Sequence, residues 1–276
     1  MDQFPDGNHV WLRSRVHGTY LRADKDGDGV SLSRRRMSMK AAWVVHLYGD
    51  DQHVLLHSAA YGGYLSATNA STPLGCRGCR VALRNYDDGD DASVRWQPVR
   101  AGLGVEIWLR CVTHAGEGAL YGYLRANGRH FPLNDKVVSV DDFYNVSTMM
   151  EWVVQPIPSS ERIPRLPRPP RQWLRLSVLL PSRVVMGNGQ GCHANNVSFP
   201  FRGRSMFLLR NELIHRLGFS PNVYDNLVMY VLAGSYGRLT PLVVNLPRNR
   251  QTLVILITAE APANGGPRYP DFEQVS

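Results

Sequence analysis

The sequence has almost no lysine. Lys25, Lys40 and Lys136 are the only three in 276 residues, so nearly all of its positive charge is arginine. A biased base composition accounts for that as readily as phosphate recognition does. Cysteine is scarce too. Four in a chain of this length do not make a disulfide framework, and they suit a reducing cytoplasm or nucleus. The longest strongly apolar stretch near the end, Leu253 to Ile257, falls far short of the ~18 residues that cross a bilayer, which excludes a spanning helix there. Met1 to Val16 carries Asp2, Asp6 and Arg13 and lacks the apolar segment of a secretory leader, so export is not expected. The triplets Asn69-Ala-Ser71, Asn145-Val-Ser147 and Asn196-Val-Ser198 are then coincidental matches to a glycosylation signal. His-Glu-x-x-His and Gly-x-Ser-x-Gly do not occur, which removes the zincin and serine-hydrolase signatures.

What remains is globular: 43% hydrophobic and 20% charged, with length for two domains that each bury a core. The formal charge of +8 is unevenly placed. Acidic and basic residues balance through Pro156, and the whole excess lies from Ile157 onward. An imbalance of that kind favours an acidic partner or nucleic acid, or is simply a solvated basic face.

The strongest signal is a threefold repeat within the first 155 residues. An alternating strand recurs as Val10-Trp-Leu12, Val54-Leu-Leu56 and Ile107-Trp-Leu109. Tyr20-Leu21, Tyr64-Leu65 and Tyr123-Leu124 follow, with Gly18, Gly62 and Gly122 close before them to serve a hairpin turn. A short strand comes third in each unit, at Val30-Ser-Leu32, Val81-Ala-Leu83 and Val138-Ser-Val140. A tryptophan in extended sequence closes each unit: Trp43, Trp96 and Trp152. Spacing varies most around His114 to Leu120, where Gly116 and Gly118 read as loop. Three units of four short strands predict a β-trefoil, in which each unit buries its apolar face only in company with the other two. The period of two places the six leucines and three tryptophans in one shared core.

The run Val10 to Asp24, with Arg34-Arg-Arg36 and Ala41-Ala-Trp-Val-Val45, resembles plant proteins of unknown function grouped with fascin-like, actin-cross-linking β-trefoils. That resemblance extends over most of the second half. It implies a fold, and actin as a partner, but carries no catalytic residue.

Residues 157–171 hold five prolines and four arginines and read as a semi-extended linker. Beyond it Leu174 to Leu180 alternate as a strand, and Phe199 with Phe201 mark a second. Ser205 caps a helix with Met206, Leu209, Leu213 and Leu217 on one face, and Gly218 stops it. Val228 to Leu232, Leu239 to Val244 and Thr252 to Thr258 read as strands. This ββαβ-rich order is that of a β-grasp, and the spacing resembles ubiquitin-like domains. The expected division is a fascin-like β-trefoil over 1–156, a Pro/Arg-rich linker over 157–171, an α+β β-grasp domain over 172–260 and a flexible tail over 261–276. Ten residues follow Gly265-Gly266, so a loop accounts for them better than a conjugable end does.

Several patterns fail on inspection. Asp24-Lys-Asp26-Gly-Asp28-Gly29 imitates an EF-hand loop, but Arg35 stands where the bidentate glutamate is needed and strands flank it. Cys76-Arg-Gly-Cys79 is a single pair, completed as a zinc site only if Cys111 and His114 come near. Gly187 to Gly191 lacks the Lys-Ser/Thr of a phosphate loop. Seven of nine histidines lie in the first half, where turns and exposed strand faces are expected to house them. The reading is a non-enzymatic binding or scaffold protein of the cytoplasm or nucleus, with no cofactor, metal or membrane. Its partner is a protein, with actin suggested by the resemblance. Carbohydrate and nucleic acid are the alternatives, although the ricin-type glutamine is replaced by Ala41, Val94 and Met150. The candidate partner-binding residues are Arg34, Arg35, Arg36, Arg165, Arg168 and Arg171.

Overall fold

The computed structural model describes residues 3–49, 52–89, 91–115, 118–128, 136–167, 181–187, 198–218, 227–249, 253–258 and 268–275. Each repeat contributes four strands. They are β1 (His9–Ser14), β2 (Tyr20–Ala23), β3 (Val30–Ser33) and β4 (Trp43–Leu47); β5 (Val54–Ser58), β6 (Tyr64–Ser71), β7 (Cys79–Arg84) and β8 (Trp96–Arg100); β9 (Ile107–Ala115), β10 (Gly118–Ala126), β11 (Val138–Asp142) and β12 (Trp152–Ile157). The outer strands of the three units close on themselves. β1 pairs with β4, β4 with β5, β5 with β8, β8 with β9, β9 with β12 and β12 with β1, all antiparallel. That ring leaves no edge within the barrel. The inner hairpins β2–β3, β6–β7 and β10–β11 cap one end. Single bridges tie them together: Gly29 to Ala82, Ser31 to Val137 and a short β7–β11 ladder.

One core fills the barrel. Leu12, Leu21, Leu56, Leu65, Leu109 and Leu124 are fully buried together with Trp43, Trp96 and Trp152. Each indole solves the same polar problem in the same way. Its N–H donates to the carbonyl of the leucine in its own unit's tyrosine-leucine pair, at 3.1 Å for Trp43 to Leu21, 2.8 Å for Trp96 to Leu65 and 2.8 Å for Trp152 to Leu124. A buried donor left without a partner would cost about 1–3 kcal/mol, so the tryptophan and the preceding strand are selected as a pair.

Beyond the barrel, β13 (Ser159–Ser160) is followed by β14 (Pro181–Gly187), β15 (Ser198–Arg202), α1 (Met206–Leu217), β16 (Val228–Leu232), β17 (Leu239–Pro241), β18 (Leu253–Thr258) and β19 (Tyr269–Pro270). Five of these strands form one mixed sheet in the order β15-β14-β18-β16-β17, with β14 and β18 parallel and the other pairs antiparallel. Met206, Leu209 and Leu213 of α1 pack on Phe201, Met229, Ile255 and Ile257. Ser205 accepts from the Leu208 N–H at the start of the helix, and Gly218 ends it at φ +64°. The strand expected over Leu174 to Leu180, the glycine-rich stretch after Gly187 and the Gly265-Gly266 pair lie outside the described residues. No helix among the described residues is long and apolar enough to cross a membrane.

The described end of the tail departs from the flexible segment expected. Ser159 and Ser160 pair with Pro270 and Tyr269, and the Asp271 N–H donates to the Pro158 carbonyl at 2.8 Å. Phe272 then stacks on Trp11, with centroids 6.1 Å apart and rings 17° from parallel. Two residues of strand and one aromatic ring escape periodicity, and together they pin the end of the chain to the first repeat.

Candidate functional site

Two places gather polar side chains: a cleft over the trefoil cap, and the seam where the second domain meets the barrel. The cleft encloses about 1120 Å³. It lies where the three hairpins converge, lined by Asp24, Asp26 and Asp28 of the EF-hand-like turn, Asn69, Arg80 and Arg84 of the second unit, Asp91, and Lys136 of the third. Tight turns fix the carboxylates. Asp26 accepts from the Asp28 and Gly29 N–H groups at 3.1 and 2.9 Å, Asp24 accepts from the Ser31 hydroxyl at 2.5 Å, and Asp91 accepts from the Ser93 N–H at 2.9 Å. The turn that resembles a calcium loop is thus held by its own backbone as a hairpin corner. Among the described residues no three metal-ligating side chains come together. The lining mixes both signs of charge and carries no aromatic ring among the described residues, which suits a hydroxyl- or amino-bearing ligand better than an apolar one.

The seam is built on backbone as well as side chains. The turn between β16 and β17 lies against Tyr86: the Tyr86 N–H donates to the Ala233 carbonyl and the Tyr236 N–H to the Tyr86 carbonyl, both at 2.9 Å. Gly234, at φ +94°, makes that approach possible, because a Cβ there would overlap the Tyr86 backbone. Next to it, the Arg238 N–H donates to the Tyr64 hydroxyl at 2.8 Å, and the Arg238 guanidinium reaches Asp6 at 2.7 Å. His57 Nδ1 lies 3.0 Å from the Thr240 hydroxyl, and His46 Nδ1 lies 3.1 Å from the Tyr64 hydroxyl. The histidines of the first half were expected in turns or on exposed strand faces; His9 and His57 are instead buried, and His46 is half-buried. Burial pushes His57 down to about 3 and His9 to about 4, and burial with the nearby Arg238 pushes His46 to about 4, so all three are neutral at pH 7.

The arginines singled out from sequence separate into three cases. Arg34, Arg35 and Arg165 are exposed. Arg36 is engaged within the molecule: its guanidinium lies 5.1 Å from the Trp11 ring centroid and donates to the Val275 carbonyl at 3.2 Å. Arg168 and Arg171 lie outside the described residues. No described hydrogen bond or ion pair joins Arg165 to the Arg34–Arg36 turn. Cys76 and Cys79 are free thiols. Cys111 is buried, donates to the Ala92 and Ser93 carbonyls, and its thiol is pushed up to about 12 by burial. The seam residues were missed because none belongs to a motif. The one available sign was the Ala233-Gly234-Ser235-Tyr236-Gly237 turn, which reads only as a hairpin.

The chain belongs to the family described as a β-trefoil domain of unknown function (DUF569), whose model matches residues 1–155. The ubiquitin-like domain associated with that family matches residues 185–258. No curated protein matches. Among solved structures, a Caenorhabditis elegans protein of unknown function is 18% identical at a TM-score of 0.44, covering 56% of this chain and 97% of that one. An SDF2-like protein from Arabidopsis thaliana is 13% identical at 0.43, covering 55% and 94%. SeviL, solved bound to asialo-GM1 saccharide, is 11% identical at 0.37, covering 54% and 97%.

Proposed function

We propose that this member of the family is a non-enzymatic binding protein, in which trefoil and ubiquitin-like domain act as one scaffold and the cap cleft holds a polar ligand. The observation that carries the reading is the cleft itself: a large open volume at the convergence of three hairpins, with carboxylates already fixed by their own turns and guanidinium groups beside them. Preset charges of both signs recognise a ligand without rearranging. The groups best suited to chemistry lie elsewhere and are quenched, since the Cys111 thiol is held protonated and the seam histidines are held neutral. Free Cys76 and Cys79 support a reducing setting, cytoplasmic or nuclear.

A protein is the favoured partner. Actin is the one that the likeness to fascin-like trefoils suggests, and a single trefoil with its second domain docked on it predicts filament binding without bundling. Co-sedimentation with filaments at low and high speed tests this, and no retention at low micromolar concentration would remove actin. A carbohydrate ligand is the second reading, favoured by the acid-and-amide lining near Asp24 and Asn69. Peptide and glycan arrays should be probed with the parent chain and with Asn69→Trp, which places an indole in the cleft from an exposed position. Hits lost in the variant support the cleft; hits of equal strength in both refute it.

A further inference from the structure

We propose that the junction of the trefoil with the ubiquitin-like domain, which shares the Asp24–Asp28 turn with the cleft, is a binding site for a small anion carrying two phosphates. Backbone contacts bring five cations from four separate segments to one place. The Ala23 N–H donates to the Lys40 carbonyl at 2.8 Å, which sets Lys40 beside Arg22 on β2. The Arg248 N–H donates to the Lys25 carbonyl at 2.8 Å. Arg204 and Leu246 exchange bonds: the Leu246 N–H donates to the Arg204 carbonyl at 2.9 Å, and Arg204 Nε donates to the Leu246 carbonyl at 3.0 Å. Arg22, Lys25, Lys40, Arg204 and Arg248 therefore meet across the seam, and none of them forms an ion pair among the described residues.

Tyr61 supplies the second observation. It is 94% buried (6% exposed), and its hydroxyl has no hydrogen-bond partner. Lys40 Nζ lies 5.6 Å from its ring centroid, and the charges nearest to act on its hydroxyl are those of Arg204 and Arg22. Burial pushes that hydroxyl up to about 12, so it is a donor at neutral pH. Arg22 Nε is likewise buried without a partner. Two orphaned donors, the Tyr61 hydroxyl and the Nε of Arg22, one of the five cations, cost free energy unless an acceptor satisfies them. The strain is visible on Lys40, whose ammonium is pushed below its ordinary value by burial and then by Arg22, Lys25, Arg204 and Arg248.

Charge and shape define the ligand. The nearby acids are Asp24, Asp26 and Asp28, and the first two already accept hydrogen bonds within their own turn. Five cations against three carboxylates leave an excess of about two, which phosphate groups at about −1.5 to −2 each offset. Arginine forks and a phenol match phosphoryl oxygens. The donors sit at a junction between two domains and the deepest of them, the Tyr61 hydroxyl, is buried, which suits a compact anion better than a duplex.

The test is titration of the full chain with inorganic pyrophosphate, read by calorimetry and by melting temperature at fixed ionic strength. One saturable site per chain and a raised melting temperature are expected, with sulfate at equal ionic strength much weaker. Lys25→Ser/Arg248→Ser, at two exposed positions, should weaken binding about tenfold or more. Tyr61→Phe removes only the hydroxyl and should weaken it about fivefold, while Arg34→Ser/Arg35→Ser should leave it unchanged. No saturable binding at millimolar pyrophosphate, equal effects of sulfate, or parental affinity in both seam variants would each overturn the proposal. So would a doubly phosphorylated peptide or an RNA oligomer that binds at the seam where pyrophosphate does not.

Discussion

Replacing Gly234 with alanine should uncouple the two domains. Gly234 sits at φ +94°, a conformation that costs a residue bearing a side chain about 1–3 kcal/mol. The added Cβ would also overlap the nitrogen, carbonyl carbon and oxygen of Tyr86. Backbone cannot swing aside as a side-chain tip can, so the turn must withdraw and give up its two bonds to Tyr86, each worth about 1 kcal/mol. The docking should weaken by about 3–5 kcal/mol in all. Gly203 provides the control, because it sits at φ +121° with nothing within 4 Å of a Cβ, so alanine there brings backbone strain alone. Urea unfolding should be followed by tryptophan fluorescence, which five of six tryptophans place in the trefoil, and by far-ultraviolet dichroism of α1 in the other domain. Coincident transitions are expected for the parent and for Gly203→Ala, and separated transitions for Gly234→Ala. If Gly234→Ala behaves like Gly203→Ala, the close approach does not hold the domains together and the reasoning fails.

Three further outcomes follow from the same contacts. Trp43→Phe, Trp96→Phe and Trp152→Phe each remove an indole N–H from a buried leucine carbonyl and leave a small void, so each should cost about 2–4 kcal/mol by denaturant unfolding; a loss confined to one unit would contradict threefold equivalence. His9, His46 and His57 titrate near ~6.5 when unfolded but near about 4, 4 and 3 when folded. The unfolded chain therefore binds more protons between those limits, and stability is full above about pH 6.5 and falls as pH drops toward 3. His57→Gln should flatten that acid limb, and an unchanged slope would count against the buried neutral imidazole. Phe272→Ala removes the ring stacked on Trp11 and should raise amide hydrogen exchange at Tyr269, Asp271 and Ser159–Ser160; unaltered protection would show that the tail is held without it.

How much could be read in advance depended on repetition and on reach. Trp43, Trp96 and Trp152 announce the barrel because the same apolar pattern is written three times, and a register error in one unit is corrected by the other two. The helix from Met206 to Leu217 was legible for a local reason, since its cap, apolar stripe and terminal glycine lie within fourteen residues. The seam follows neither rule. Asp87 meets Ser235 across 148 positions and His57 meets Thr240 across 183, and every one of these residues is ordinary in its own neighbourhood. The contact of Arg36 was hidden for a related reason: three adjacent arginines read as one exposed patch, yet a turn aims one of them back onto Trp11.

The seam also decides which faces of the ubiquitin-like domain remain for a partner. Both faces of β16 are buried. On one, Met229 packs with α1, and on that same face Val231 and its cross-strand neighbour Thr240 meet Gly62 and His57 of the trefoil; on the other, Val228 and Tyr230 are buried as well. The trefoil thus covers the β16–β17 end of the helix-bearing face, which leaves a partner the exposed side of α1, where Leu208 projects, or the β15 edge. A partner that instead required the β16–β17 end would have to displace the trefoil, breaking the Tyr86 bonds and stripping the buried histidines of their cover. Binding by that route would then be tighter in Gly234→Ala than in the parent, whereas binding through α1 would be indifferent to the substitution.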